Sequence, residues 1–240
     1  MGTLLMCFDA PLQSWGCDSH FEQRMTAIEP TKSGVIGLLA AALGLGRQED
    51  EGISELAALE FGVRVDQPGV IIRDFHTAKG EKKRPSGNWE DVAYVSDRYY
   101  LSDAIFLVGV SSHDYELIQK LACAIKSPYY PLFLGRRSCP PTPRLFHSVM
   151  ENPLVDALSS VEWLARNQPQ NKPDSMRKEL RLVIDDFTLM GKRRQDVPIS
   201  FSWQHRRFGY RHLIEKPISV PVKYLSENIA PIDNDYFDEV

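Results

Sequence analysis

Residues 103–126 read DAIFLVGVSSHDYELIQKLACAIK, and this stretch carries two different periodicities one after the other. Asp103–Val110 is an almost continuous apolar run, which predicts a buried strand. From His113 to Lys126 the apolar residues recur at helical spacing, which predicts an amphipathic helix. Pro128 then ends that helix, because proline cannot continue one. A strand followed at once by a helix indicates a fold that mixes both kinds of element.

Upstream of this unit, the sequence predicts a strand and a helix. Thr3–Asp9 is a short apolar run with a polar end, which is typical of a strand. Further along, the small apolar residues at 35–46 predict a buried helix with Thr31 or Ser33 as its N-cap. Gly44 or Gly46 is expected to end it.

Further short strands complete the pattern. Glu60–Asp66 alternates polar and apolar residues, and Gly69–His76 is predicted as its hairpin partner across a Gln-Pro turn. A short strand near Leu145–Met150 would close a βαββαβ unit. We therefore expect an α+β fold with a ferredoxin-like (RRM-like) domain over residues 1–148.

The C-terminal part is predicted to be smaller and mostly β. Residues 149–240 alternate weak strands with polar turns, and the expected strands are Leu180–Asp185, Val197–Trp203 and Ile218–Tyr224.

Composition excludes several classes of protein. The chain has 240 residues, of which 43% are hydrophobic and 25% charged, so disordered, collagen-like and coiled-coil proteins are ruled out. The longest apolar run, Val35–Leu45, is too short to cross a bilayer. The N-terminus lacks the basic segment of a signal peptide, so we expect a cytoplasmic protein without membrane contact. The cysteines form no CxxC pair and no zinc-type spacing, and neither a metal nor a cofactor is predicted.

Charge is segregated along the chain, although its net value is −4. Residues 127–147 contain Arg136, Arg137 and Arg144 and no acidic residue. Residues 192–211 contain six basic residues against Asp196 alone. A basic face can therefore exist on an acidic protein, because binding depends on the local field.

The segment PLFLGRRSCPP, residues 131–141, is the first candidate site. Gly135 allows close backbone approach or a positive φ, and two arginines follow it. Guanidinium groups and backbone N–H groups suit phosphate oxygens. A surface loop with solvated arginines is the alternative interpretation.

The second candidate is the helix start at residues 31–34, TKSG. Free N–H groups and the positive end of the helix dipole favour an anion there. The Walker spacing is absent, and an ordinary N-cap is the alternative.

Residues 77–102 form the third candidate, because basic residues and aromatic rings alternate there. Charges that follow a backbone and rings that stack on bases are typical of single-strand binding. The alternatives are a disordered loop and a loop that packs its rings on a neighbouring element.

A catalytic set is not predicted. Residues of the kinds that could serve metal-independent RNA cleavage by acid–base chemistry are present at His76, Lys79, Tyr99, Tyr100, His113 and His147. No Ser/His/Asp order, HExxH motif or acidic cluster accompanies them.

Taken together, these segments resemble Cas family five of the RAMP superfamily, in the form found in type I-E CRISPR Cascade complexes. The match follows the order of that family from residue 4 to about 146. It rests on the following motifs: APLQSWG at 10–16, PTKSG at 30–34 with GLL at 37–39, DFHT at 74–77, RYYLSDA at 98–104 and LGRRSCP at 134–140.

The resemblance implies a non-catalytic subunit that caps the 5′ handle of the crRNA and supports crRNA-guided DNA recognition in antiviral defence. A β-hairpin thumb is expected at about 77–102. The Cascade backbone subunit and large subunit would be its protein neighbours, and target DNA an indirect partner. Precursor crRNA processing, as in type I-C relatives, is the alternative. The RNA contacts implied are Lys32, Ser33, Gly34, Arg98, Tyr100, Leu134, Gly135, Arg136, Arg137, Ser138 and Cys139, with Lys82, Lys83 and Arg84 on the thumb.

Overall fold

A computed structural model describes residues 1–17, 22–166 and 177–222. The helices in these ranges are α1 (Lys32–Leu43), α2 (Asp50–Ala57), α3 (Tyr115–Lys126) and α4 (Leu154–Ser160). The strands are β1 (Gly2–Asp9), β2 (Leu12–Gln13), β3 (Gln23–Arg24), β4 (Glu60–Gln67), β5 (Val70–Lys83), β6 (Trp89–Ser102), β7 (Ile105–Ser112), β8 (Phe146–Met150), β9 (Arg177–Asp185), β10 (Lys192–Ser200) and β11 (Arg207–Pro221).

Seven of the described strands form one large antiparallel sheet in the order β10-β11-β9-β4-β7-β1-β8. The N-terminal half supplies β8, β1, β7 and β4. The C-terminal strands continue the same sheet from β4, because β9 pairs with β4 through Gly62 to Val65. The two halves of the chain therefore share one set of backbone hydrogen bonds.

Helices cover both faces of this sheet. α1 and α3 pack over a core that includes Leu4, Met6 and Phe8 of β1. On the other face, α4 packs over Leu5 and Cys7 of the same strand. β1 is buried along its whole length because each face carries a helix layer.

The helix ends follow the local sequence signals. Thr31 is the N-cap of α1, and its hydroxyl accepts a hydrogen bond from the backbone N–H of Gly34. Gly44 ends α1 in the left-handed region at φ 81°. The short helices α2 and α4 were not expected from the sequence, because seven or eight residues give too little periodicity to stand out.

The predicted hairpin between Glu60–Asp66 and Gly69–His76 is wrong. β4 is buried between β7 and β9, whereas β5 leaves that sheet and pairs with β6. Gly69 allows this departure, because a Cβ there would lie 2.8 Å from the carbonyl oxygen of Ser102. Val70 and Ile71 are exposed on β5, so they could not share the buried environment of β4.

β5 and β6 form a long antiparallel hairpin that projects from the sheet. Fourteen residue pairs connect Val70–Lys83 with Trp89–Ser102, so the hairpin begins before the predicted boundary at residue 77. Its outer part is exposed on both faces, but Tyr100 and Leu101 at its base are buried in the core. The hairpin is therefore anchored by the final residues of β6.

The C-terminal strands differ from the expectation mainly at their ends. β10 ends at Ser200, so the predicted strand Val197–Trp203 starts too late and extends too far. β11 includes the predicted start at Ile218, and Tyr224 lies outside the described residues. Within the described ranges, no helix is both long and apolar enough to span a membrane.

Candidate nucleic-acid interface

The segment Ala10–Gly16 connects the candidate motifs. The side-chain amide of Gln13 donates hydrogen bonds to the carbonyl oxygens of Phe8 (3.0 Å) and Ala104 (2.8 Å). The Trp15 ring stacks on Phe8 with a centroid distance of 5.4 Å. These contacts are buried, and they fix the segment against the ends of β1 and β6.

The loop 134–139 is fixed against this segment by its backbone. The N–H of Ser14 donates to the carbonyl oxygen of Leu134 at 3.1 Å. Gly135 has φ +88°, and a Cβ at this position would lie 1.6 Å from the Ser14 carbonyl oxygen. Only glycine satisfies both conditions, so the close approach that the sequence predicted for Gly135 is present.

The hydrophobic residues of the loop point inward. Leu134 and Cys139 are buried, and the N–H of Leu134 donates to the carbonyl oxygen of Cys139 at 2.7 Å. Burial raises the pKa of the Cys139 thiol, so this residue is a neutral packing group. Leu134 and Cys139 hold the loop in shape, and they offer no exposed side chain for RNA.

The two arginines of the loop have different surroundings. Arg136 donates from Nη2 to the carbonyl oxygen of Arg24 at 2.6 Å, and its guanidinium lies 4.6 Å from the ring centroid of Tyr100. Its Nη1 is buried without a hydrogen-bond partner among the described residues. Arg137 is exposed and has no ion pair in the same part of the chain. Ser138 is also exposed.

β3 brings a further basic residue to this loop. It pairs in parallel with β6, so that Arg24 lies opposite Arg98. Arg24 is exposed and Arg98 half-buried. Arg136 reaches both the Arg24 carbonyl oxygen and the Tyr100 ring from the loop, and Arg137 follows it in the chain. We call Arg24, Arg98, Arg136 and Arg137 the arginine cluster. Arg24 was not predicted as a site residue, because a two-residue strand in a polar segment leaves no periodic signal in the sequence.

The interpretation of Lys32 as an RNA contact needs correction. Lys32 is buried, and its ammonium group forms a 2.9 Å ion pair with Asp185. Its backbone N–H donates to Asp196 at 3.0 Å. Arg211 bonds to both carboxylates at 2.6–2.9 Å. The anion that the helix start attracts is thus an internal carboxylate, supplied by β10.

The other residues of this turn support the same packing. A Cβ on Gly34 would lie 2.9 Å from the Trp15 ring, so the glycine makes room for that ring. Ser33 is half-buried, with its hydroxyl 3.5 Å from the hydroxyl of Thr31. The turn therefore contacts Trp15, and the loop at 134–139 contacts the neighbouring Ser14.

A third internal acid, Glu29, holds part of the C-terminal basic cluster. Glu29 is buried and accepts hydrogen bonds from Arg194 (2.6 Å) and Arg181 (2.8 Å). Burial opposes ionisation of Glu29, but Arg194 and Arg181 outweigh it and lower its pKa below the usual value. Arg194 and Arg211 are therefore used inside the protein, although the sequence places them in a run of surface-like charges.

The thumb residues lie at the tip of the β5–β6 hairpin. Lys82 and Lys83 are exposed, and Arg84 is exposed but paired with Glu90 through Nε at 2.6 Å. The hairpin from 70 to 102 contains six basic and five acidic residues, so its net charge is small. At the tip of the hairpin, the positive charge that remains for RNA is that of Lys82 and Lys83.

The structure does not gather the histidines weighed for catalysis. His76 and Lys79 lie on β5, His113 lies between β7 and α3, and His147 lies on β8. Burial and the charge of Arg64 lower the pKa of His147. No hydrogen bond connects these histidines among the described residues, and no cluster of three metal-ligating side chains occurs there.

The chain is similar to proteins of CRISPR systems. Residues 3–214 match the family model described as CRISPR-associated protein (Cas_Cas5). The chain belongs to this Cas5 family.

Individual relatives support the assignment. The chain is 34% identical over 154 residues to the CRISPR system Cascade subunit CasD of Escherichia coli (strain K12), covering 60% of this chain and 69% of that protein. A chain of a solved CRISPR RNA-guided surveillance complex is 32% identical, with a TM-score of 0.77 and 91% of each chain covered. A crystal structure of a Cas protein is 38% identical, with a TM-score of 0.70 over 92% of this chain and 98% of that one.

Proposed function

We propose that this chain is a CasD-type subunit of a Cascade surveillance complex, and that its arginine cluster binds the 5′ handle of the crRNA. The observation that carries the proposal is the fixed loop at 134–139, which holds two arginines beside Arg24 and Arg98. The likeness to CasD and to a chain of an RNA-guided complex supports the same function. The complex would in turn support recognition of target DNA in antiviral defence.

The loop has the physical properties that a phosphate site requires. Its backbone is fixed by Ser14 and by Gly135, so little conformational entropy is lost on binding. Arg137 offers an unpaired guanidinium, which suits the two oxygens of a phosphate. Single-stranded RNA is recognised through phosphates, splayed bases and the 2′-OH, all of which a loop of this kind can reach.

Within the cluster, we assign different roles to the residues. Arg137 and Arg98 would contact the RNA directly, together with Arg24 and the hydroxyl of Ser138. Arg136 would act mainly by positioning, because it already bonds to Arg24 and lies over Tyr100.

We further propose that the N-terminal half is a ferredoxin-like βαββαβ domain. The strand order β8-β1-β7-β4, with α1 and α3 on one face, supports this assignment. The β5–β6 hairpin is then an insertion between the second and third strands of that domain, and β9 to β11 extend its sheet.

We propose a structural and not a catalytic role. The candidate catalytic histidines lie on separate elements, and Lys79 lies on an exposed hairpin. The protein neighbours would be the Cascade backbone subunit and the large subunit.

The test is the affinity for crRNA at several salt concentrations. Arg136→Ala together with Arg137→Ala should weaken handle binding and lower the slope of log affinity against log salt by at least about 0.7, since the phosphate contact of Arg137 on a single strand accounts for about that much. Lys120→Ala with Lys126→Ala removes the same charge from the exposed side of α3 and is the control. An arginine double variant that binds like the wild type contradicts the proposal.

A second experiment addresses the hairpin. His76 pairs with Ser96, so residues 77–95 can be replaced by a short turn without removing the buried Tyr100 and Leu101. The shortened chain should keep its circular dichroism spectrum and its urea midpoint but fail to enter the assembled complex. Loss of the folded spectrum would show that the hairpin stabilises the fold, and normal assembly would exclude the role in assembly.

A further inference from the structure

An exposed set of arginines and aromatic rings lies at the other end of α1. Arg47 follows the C-cap of this helix, and its guanidinium lies 4.1 Å from the ring centroid of Trp203. The loop of the arginine cluster contacts Ser14, and the adjacent Trp15 lies against Gly34 in the first turn of α1. Twelve helical residues separate the two ends by about 18 Å. The set is therefore distinct from the proposed handle site.

Two more arginine–ring pairs continue this set along β10 and β11. Arg206 lies 5.2 Å from the ring of Phe208, and Arg193 lies 3.7 Å from the ring of Tyr210. Phe208 and Tyr210 are two residues apart on β11, so they lie on the same face of the strand. We call these three pairs the arginine–aromatic patch.

The positive charge of the patch is not neutralised inside the protein. Arg47, Arg193 and Arg206 form no ion pair with a carboxylate in the part of the chain that the structure describes, in contrast to Arg194 and Arg211. Partial burial, and then the charge of Arg47, lower the pKa of Arg206. Like charges close enough to influence each other favour an external anion between them.

The patch also has an exposed ring and a hollow beside it. Trp203 is 80% exposed, so one face of its indole is covered by Arg47 while the rest meets solvent. An open hollow of about 430 Å³ lies next to Trp203, and Asp50 supplies the one carboxylate among its lining residues. Its lining is Gln48, Asp50, Ser200, Ser202, His205 and Arg207.

The loop that carries these residues is anchored to the fold. Phe201 lies against α1 at Gly37, where a Cβ would be 3.6 Å from its ring. It also contacts Phe208 edge-to-face at a centroid distance of 6.4 Å. The patch is therefore held in place before any ligand arrives.

We propose that the arginine–aromatic patch is a second nucleic-acid site, which binds a single strand through its phosphates and stacks a base on Trp203. Alternating cations and rings are what sequence-independent binding of a single strand requires. A protein partner with an acidic surface would use the cations but would have no need of an exposed indole. The strand can come from the guide RNA or from target DNA, which share this chemistry.

The experiment measures binding of labelled oligouridylate and oligothymidylate that lack the handle sequence, at several salt concentrations, to the full chain. Arg47→Ala with Arg206→Ala should lower the salt slope by about 1.4. Trp203→Ala should weaken binding about fivefold or more, and Trp203→Phe should restore most of it. Lys120→Ala with Lys126→Ala is the control for charge, because Lys126 also lies over a ring, that of Phe146.

The result that overturns the proposal is an arginine double variant that binds both oligonucleotides as the control does. A Trp203→Ala variant with unchanged affinity removes the stacking step and leaves a purely electrostatic contact, which also contradicts it. Tighter binding of the RNA identifies the guide as the source, and equal or tighter binding of DNA identifies the target strand. The patch variants and the control all keep the handle site unchanged, so a difference between them reports on the patch and not on Arg137.

Discussion

Two basic turns, residues 31–34 and residues 134–139, both contact the Ser14-Trp15 segment, but the charge of one is neutralised and that of the other is free. Lys32 is held by Asp185 and is buried. Arg137 has no partner among the described residues and faces solvent. Both turns contain a glycine that lets another part of the chain approach closely. The comparison shows that a basic motif keeps a free positive charge only where no internal carboxylate has already neutralised it.

The difference arises from the position of the C-terminal strands. β10 and β9 bring Asp196 and Asp185 to the start of α1, more than 150 residues away in the sequence. No strand of the described chain brings an acid to the loop at 134–139, where Arg136 finds only a carbonyl oxygen and a ring. One turn thus holds the two halves of the fold together, and the other remains available for a ligand.

The largest expected effect comes from breaking the buried network. Asp196→Ala should lower the free energy of unfolding by about 3–5 kcal/mol, because it leaves Lys32 and Arg211 to share Asp185 as their one buried carboxylate and leaves the N–H of Lys32 without a partner. Urea unfolding followed by circular dichroism measures this. Glu90→Ala at the exposed hairpin tip removes the partner of Arg84 and should cause no measurable change. Equal stability of the two variants would show that the network does not hold the halves together.

A substitution at the open turn should have the next largest effect. Gly135→Ala forces an alanine to adopt φ +88° and places its Cβ on the Ser14 carbonyl oxygen. This substitution should therefore both destabilise the protein and abolish handle binding. Gly87→Ala is the matched control, because Gly87 has φ +89° and open space around it. That control should cost about 1–2 kcal/mol and leave RNA binding intact. A Gly135→Ala variant that unfolds and binds like Gly87→Ala contradicts the close packing described above.

Acid should weaken the internal ion pairs before it affects the open turn. The pKa of Glu29 is lower in the folded protein than the 4.5 of a free glutamate, so the unfolded chain binds more protons in this interval. The stabilisation is complete above about pH 4.5 and is lost as the pH falls through the lower, folded pKa. Urea midpoints between neutral and acidic pH should therefore fall less steeply in Glu29→Gln than in the wild type. Parallel curves would mean that Arg194 and Arg181 do not hold this carboxylate.

The smallest effect on the fold is expected at the exposed guanidinium. Arg137→Ala should leave the urea midpoint unchanged and lower the salt slope of handle binding by about 0.7. Arg136→Ala should lower the midpoint as well, because it removes the hydrogen bond to Arg24 and the contact with Tyr100. If the two variants behave alike in unfolding, the positioning role assigned to Arg136 is wrong.

The sequence indicated more of the fold than of the site. β1, β7 and α3 follow from runs and periodicities that a dozen residues suffice to show. The hairpin partner of β4 was predicted wrongly, because adjacency in sequence favours β5 whereas burial on both faces selects β7 and β9. At the site, Gly135 was recognisable from its neighbours, but Arg24 was not, since only the short parallel pairing with β6 brings it there.

Local chemistry by itself determined where α1 begins and ends, since a threonine hydroxyl and a left-handed glycine act within one turn of the helix. It also indicated that the glycine before Arg136 would allow a close backbone approach or a positive φ, and the structure has both. Only the tertiary structure decided which positive charges remain free, because the neutralising carboxylates at 185 and 196 reach Lys32 and Arg211 through pairing of strands distant in sequence. The sequence gives each residue its charge, but the folded structure decides whether that charge is paired inside the protein or exposed to a ligand.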